Sequence, residues 1–74
     1  MSFQIDVKEG ETAKLEIFNI RGQLVREYQE ILPGNSMIEW NGRDKDNRDV
    51  ASGIYFYRLT SPSVHSVRRM VIIK

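Results

Sequence analysis

The 74-residue chain is 41% hydrophobic and 28% charged, with 11 basic against 10 acidic side chains. Only one small domain fits in that length, and it buries about 60–65% of its unfolded surface, which excludes multi-domain enzymes, Rossmann folds and barrels. The interspersed, nearly balanced charge offers no basic stripe for nucleic acid, and the lack of cysteine removes disulfides and thiolate metal sites.

Isoleucine and valine number 14 against 6 for leucine plus alanine, a ratio that favours pleated strands. Met1 to Asp6 has neither a basic n-region nor an apolar h-region, so it does not read as a signal peptide. No apolar run approaches the ~20 residues of a membrane helix. Phe3, Ile5 and Val7 alternate with Gln4 and Asp6 and predict a first strand. Ala13, Leu15 and Ile17 predict a second, running to about Ile20. Its parity changes at Phe18, which calls for either a bulge or two covered faces. Arg21-Gly22 makes a tight turn into a third strand, Gln23 to about Ile31. A helix from Leu24 to Leu32 has partial spacing but no capping box and little more than two turns.

Leu32 to Ser36 reads as a loop, because Pro33 lacks a donor and Gly34 and Asn35 tolerate left-handed backbone. Met37 to Trp40 predicts a short fourth strand, and Asn41 to Asp49 a polar loop that Gly42 opens. Gly53 bends the chain into Ile54–Leu59, a run apolar on both parities and therefore central in a sheet. Ser61-Pro62-Ser63 turns the chain into a closing strand from about His65 to Ile73. Six or seven short antiparallel strands require two packed layers. The fold expected is all-β, a small immunoglobulin-like sandwich over residues 1–74.

Few residues offer catalysis. His65 is the sole histidine, and its neighbours Ser63 and Ser66 lack the convergence and the orienting carboxylate of a nucleophilic pair. The polar loop Asp44 to Asp49 suggests calcium through carboxylates at alternate positions, but Arg48 stands where the third alternate ligand belongs and no bidentate Glu follows. No catalytic, cofactor or metal residue is assigned. Trp40, Tyr55 and Tyr57 could form a sugar-stacking platform. A domain this small, however, needs its largest side chains inside, so Leu15, Ile17, Ile38, Trp40, Tyr55, Tyr57 and Leu59 are assigned to the core. Arg68-Arg69 ahead of Met70-Val71-Ile72-Ile73-Lys74 gatekeeps a sticky strand or serves as a handle.

Four blocks resemble a known family: Leu15 to Val25, Trp40 to Asp44, Ala51 to Leu59 and Arg69 to Lys74. Together they are similar to the type A C-terminal sorting domain of type IX (Por) secretion cargo. They are also similar to the immunoglobulin-like domain of the flagellar hook-capping protein. The resemblance spans about Phe3 to Lys74, although the Pro-Asn-Pro-Phe stretch that commonly opens the family is missing, so Met1-Ser2 reads as a domain-cut start. It implies a non-enzymatic address tag, covalently linked to a parent domain upstream. Such a tag takes the parent through periplasm and outer membrane to the cell surface or medium. The implied partner is the secretion machinery in the outer membrane, and Arg68, Arg69, Met70, Val71, Ile72, Ile73 and Lys74 are the segment expected to be recognised. Gly22, Gly42 and Gly53 are the turn glycines of the pattern. The alternative is a structural linker or assembly module of an extracellular or flagellar protein. An open sheet edge would also allow a strand-mediated homodimer.

Overall fold

A computed structural model describes all residues from Met1 to Lys74. Six strands form: β1 (Ser2–Val7), β2 (Ala13–Asn19), β3 (Leu24–Ile31), β4 (Gly34–Glu39), β5 (Gly53–Ser61) and β6 (Val64–Ile72). Every pairing is antiparallel. A four-stranded sheet, ordered β3-β2-β5-β6, packs against the two-stranded sheet β1-β4. In the lettering of the immunoglobulin fold these are C′-C-F-G over B-E.

Alternation builds the two layers. On β1, Phe3, Ile5 and Val7 point inward and are buried. Leu15 and Ile17 on β2 oppose Leu59 and Tyr57 on β5 and fill the floor of the core. The two layers meet edge-to-face at Phe3–Tyr57, with ring centroids 5.0 Å apart, and at Trp40–Tyr55, 6.5 Å apart. The region 24–32 is extended and not helical. β5 lies between β2 and β6, the central place its two apolar parities predict.

One expectation needs correction. The loop expected over residues 32–36 is shorter, because β4 already begins at Gly34. Val7↔Gly34, Asp6↔Asn35 and Ile5↔Ser36 are paired, so the ladder with β1 overrides the turn preference of Gly34 and Asn35. A bulge does lie at Phe18, as the parity change requires, but in the β2–β3 ladder, since β2 pairs with β5 without a shift from Lys14 to Asn19. The extra residue sits on β3: Ile17 opposes Arg26 while Phe18 opposes Leu24, leaving Val25 unmatched. Phe18 simply points to the outer face of the sheet, and Ile20 lies exposed beyond the strand end.

Candidate recognition edge

Strand β6 is the last strand of the four-stranded sheet. A two-residue turn, Pro62-Ser63, joins it to β5, and nine consecutive pairs run without a shift from Ser61↔Val64 to Gly53↔Ile72. Because that turn makes Ser61 and Val64 a mutually bonded pair, alternation commits Ser66, Arg68, Met70 and Ile72 to β5. The backbone N–H and C=O groups of His65, Val67, Arg69 and Val71 therefore face outward along a free edge.

The expected segment divides by parity. Ile72 is buried and Met70 packs against the core, so these two hold the strand down. Arg68 and Arg69 are exposed, and neither has an acidic partner. Val71 is 57% exposed and its neighbour in the outward row, Val67, 64%. Ile73 and Lys74 lie past the strand end. Lys74 folds back: its backbone N–H donates to Ser52 Oγ (2.9 Å), and its ammonium lies 3.5 Å from the Gly42 carbonyl and 3.7 Å from Asp49. Gly42, at φ 75°, adopts the left-handed backbone that glycine takes without strain.

The opposite edge is built differently. β3 carries a second extra residue between Tyr28, which opposes Leu15, and Ile31, which opposes Ala13. Glu30 there adopts φ 55°, a left-handed conformation unusual for glutamate. Two bulges on one edge strand twist it away from further pairing.

Trp40 is 1% exposed and its indole N–H donates to the Arg43 carbonyl (2.8 Å), so it offers no sugar platform. Leu15, Ile17 and Tyr55 are buried, whereas Ile38, Tyr57 and Leu59 are half-buried against them. The Tyr55 hydroxyl donates to the Ala51 carbonyl (2.6 Å). In the 41–49 loop, Asp44 Oδ1 accepts from the N–H groups of Asp46 and Arg48 at 2.9 and 3.0 Å, so it is engaged with its own backbone. Gly22, at φ 80°, closes the β2–β3 turn, where Asn19 Oδ1 accepts from Arg21 and Gln23. Gly53 begins β5, and His65 lies exposed opposite Thr60.

Sequence reasoning missed the ion pair made by a buried carboxylate. Glu16 is buried on the outer face of the sheet, where its Oε1 accepts from Arg58 Nε (3.0 Å) and Nη2 (2.8 Å). The Arg58 guanidinium also stacks 5.1 Å from the Phe18 ring. Only the β2–β5 register brings Glu16 opposite Arg58, and no spacing along the chain signals it.

By fold, then, this is a small immunoglobulin-like module whose larger sheet ends in a regular strand, β6. The model of the CHU_C type IX secretion signal domain family matches residues 2–72, and the chain belongs to that family. It is accordingly a sorting signal: the cargo that carries it is handled by type IX secretion machinery and is exported to the surface or secreted. No curated protein and no solved structure matches the chain. No helix is long and apolar enough to cross a membrane.

Proposed function

We propose that the secretion machinery in the outer membrane reads this domain at β6 and its tail, Arg68 to Lys74, by adding main chain to the open edge. The domain itself has no catalytic role and serves as the address of a parent domain linked upstream. The observation that supports this reading is the regular, unbulged ladder of β6 at a sheet edge. Main-chain bonds to Val67, Arg69 and Val71 would supply affinity, and the unpaired guanidinium groups of Arg68 and Arg69 would supply selectivity. Met70 and Ile72 act as anchors, so truncating the tail before Met70 would confound recognition with unfolding.

The test uses a secreted reporter fused ahead of the domain in a host that carries the system. Val67→Pro removes an outward N–H without costing a bond to β5, and Arg68→Glu with Arg69→Glu reverses the exposed charge. Each change is expected to lower export at least tenfold while the thermal midpoint of the purified domain stays within a few degrees. Wild-type export by both variants would refute the proposal.

A further inference from the structure

Asn19, Asn35, Asn41 and Asn47 are the asparagines of the chain, and only Asn41 is followed by glycine. The pair Asn41-Gly42 opens the polar loop directly after the buried Trp40. An asparagine side chain can cyclise onto the backbone nitrogen of the next residue. The nitrogen must be reachable, its N–H must be uncommitted, and the side-chain carbon Cγ must be open to attack.

Asn41 meets all of these conditions. Gly42 has no Cβ to crowd the approach, and glycine adopts its φ of 75° freely. The Gly42 N–H donates to no acceptor, while its carbonyl accepts from the Val50 N–H at 3.0 Å. The Asn41 side chain is exposed, and its Oδ1 accepts from the Arg43 N–H at 3.0 Å. Negative charge develops on Oδ1 as Cγ is attacked, and a donor already aimed at that oxygen stabilises it.

The other asparagines are placed differently. Arg48 follows Asn47, and its N–H is held by Asp44 Oδ1 at 3.0 Å. Asn35 lies extended in the β1–β4 ladder, where the next residue, Ser36, pairs with Ile5. Asn19 commits its Nδ2 to Gln23 Oε1 at 2.9 Å, and the branched Ile20 crowds the nitrogen after it.

We propose that Asn41-Gly42 is a modification site at which the folded domain deamidates itself. The Gly42 nitrogen bonds to Asn41 Cγ, the Cγ–Nδ2 bond breaks, and the Gly42 amide proton leaves with Nδ2 as ammonia. Water then opens the succinimide. Addition at Cγ gives aspartate in an ordinary peptide link. Addition at the main-chain carbonyl carbon gives isoaspartate, whose link runs through Cγ and inserts a methylene into the backbone. Both products gain a negative charge, but only isoaspartate displaces Gly42 and Arg43. Their carbonyls hold the Val50 N–H and the Trp40 indole N–H, so the loop loosens where it caps the indole. The site is independent of whether β6 is read by the secretion machinery.

The test ages the purified wild-type domain in warm, mildly alkaline buffer and maps its peptides by mass. A gain of about 1 Da, the balance of ammonia lost and water taken up, is expected at Asn41 at least tenfold faster than at Asn19, Asn35 or Asn47. Enzymatic methylation of isoaspartyl carboxylate is expected to label the same peptide. The folded rate is expected within about threefold of that in a free peptide spanning residues 38–46, because the fold leaves the Gly42 nitrogen open. Asn41→Asp, which adds the charge without the methylene, is expected to melt within a degree or two of wild type. The isoaspartyl fraction, separated by ion exchange, is expected to melt several degrees lower with Trp40 emission shifted to the red. A folded domain left unmodified while the peptide reacts, or equal rates at all the asparagines, would overturn the site. An isoaspartyl fraction indistinguishable from Asn41→Asp would overturn its effect on the loop.

Discussion

β3 and β6 end the same sheet and are built from similarly polar strands, but their ladders differ, and the 41–49 loop reaches β3, where the Lys45 N–H donates to the Val25 carbonyl (2.8 Å). β3 carries two unmatched residues and a glutamate at positive φ, whereas β6 pairs with its neighbour without interruption through nine positions. Both strands have free backbone groups, but only β6 presents them in a straight, evenly spaced row. The bulges block one edge by shape. On β6 the only obstacle is charge, from Arg68 and Arg69, and charge can be matched by a partner whereas a bulge cannot. A domain with one blocked edge and one conditionally open edge has a direction for binding built into its sheet.

The largest expected effect tests whether the two edges belong to one cooperative unit. Leu15 is 1% exposed and sits beneath both halves of the sheet. Leu15→Ala should destabilise the domain by about 3 kcal/mol in denaturant titration, and exchange protection in β3 and β6 should fall together. Loss of protection in one strand alone would mean the edges differ in stability and not only in shape. Next, replacing Arg68 and Arg69 together by alanine should tighten self-association about tenfold, or ~1.4 kcal/mol, by sedimentation. Glu27→Ala on the bulged β3 should leave self-association unchanged. If both edges respond alike, the bulges do not block pairing.

Glu30→Gly is a smaller change in the same comparison. Glycine accepts φ 55° freely, so the variant should gain about 1 kcal/mol by thermal melting. No gain would show that the left-handed turn carries no strain. The smallest effect lies on the other sheet, at Glu39. Its carboxyl is held below the usual carboxylate range by the Ser2 hydroxyl, which donates to it, and by the amino terminus nearby. A lowered folded pKa contributes stability above the unfolded value, and that stability disappears as pH falls through the folded value. Ser2→Ala should move the Glu39 titration upward by NMR and shrink that acid-sensitive contribution; an unmoved midpoint would remove the hydroxyl as the cause.

The contrast between the edges was hidden in the sequence, whereas the layers were not. Ile54–Leu59 is apolar on both parities, and a strand of that kind has to lie inside a sheet. Trp40 shares parity with Ile38 and is too large for so small a domain to leave outside. The bulges were different, because Val25 and Glu30 are ordinary residues, and only the two registers across β2 make them supernumerary. The start of β4 was misread for a related reason: Gly34 and Asn35 favour a turn locally, and pairing with Val7 and Asp6 overrides them. In this chain local pattern encodes layers and burial, and pairing partners decide edges.

The tail and the indole lie at the same end of the molecule. Ile72 and Trp40 line a common hollow beside Gly42, the residue whose carbonyl the Lys74 ammonium approaches. A receptor that peels the last residues away would let solvent reach the chain's sole tryptophan. Its emission would shift to the red, so the unlabelled protein carries its own optical gauge of how far the closing strand has been lifted.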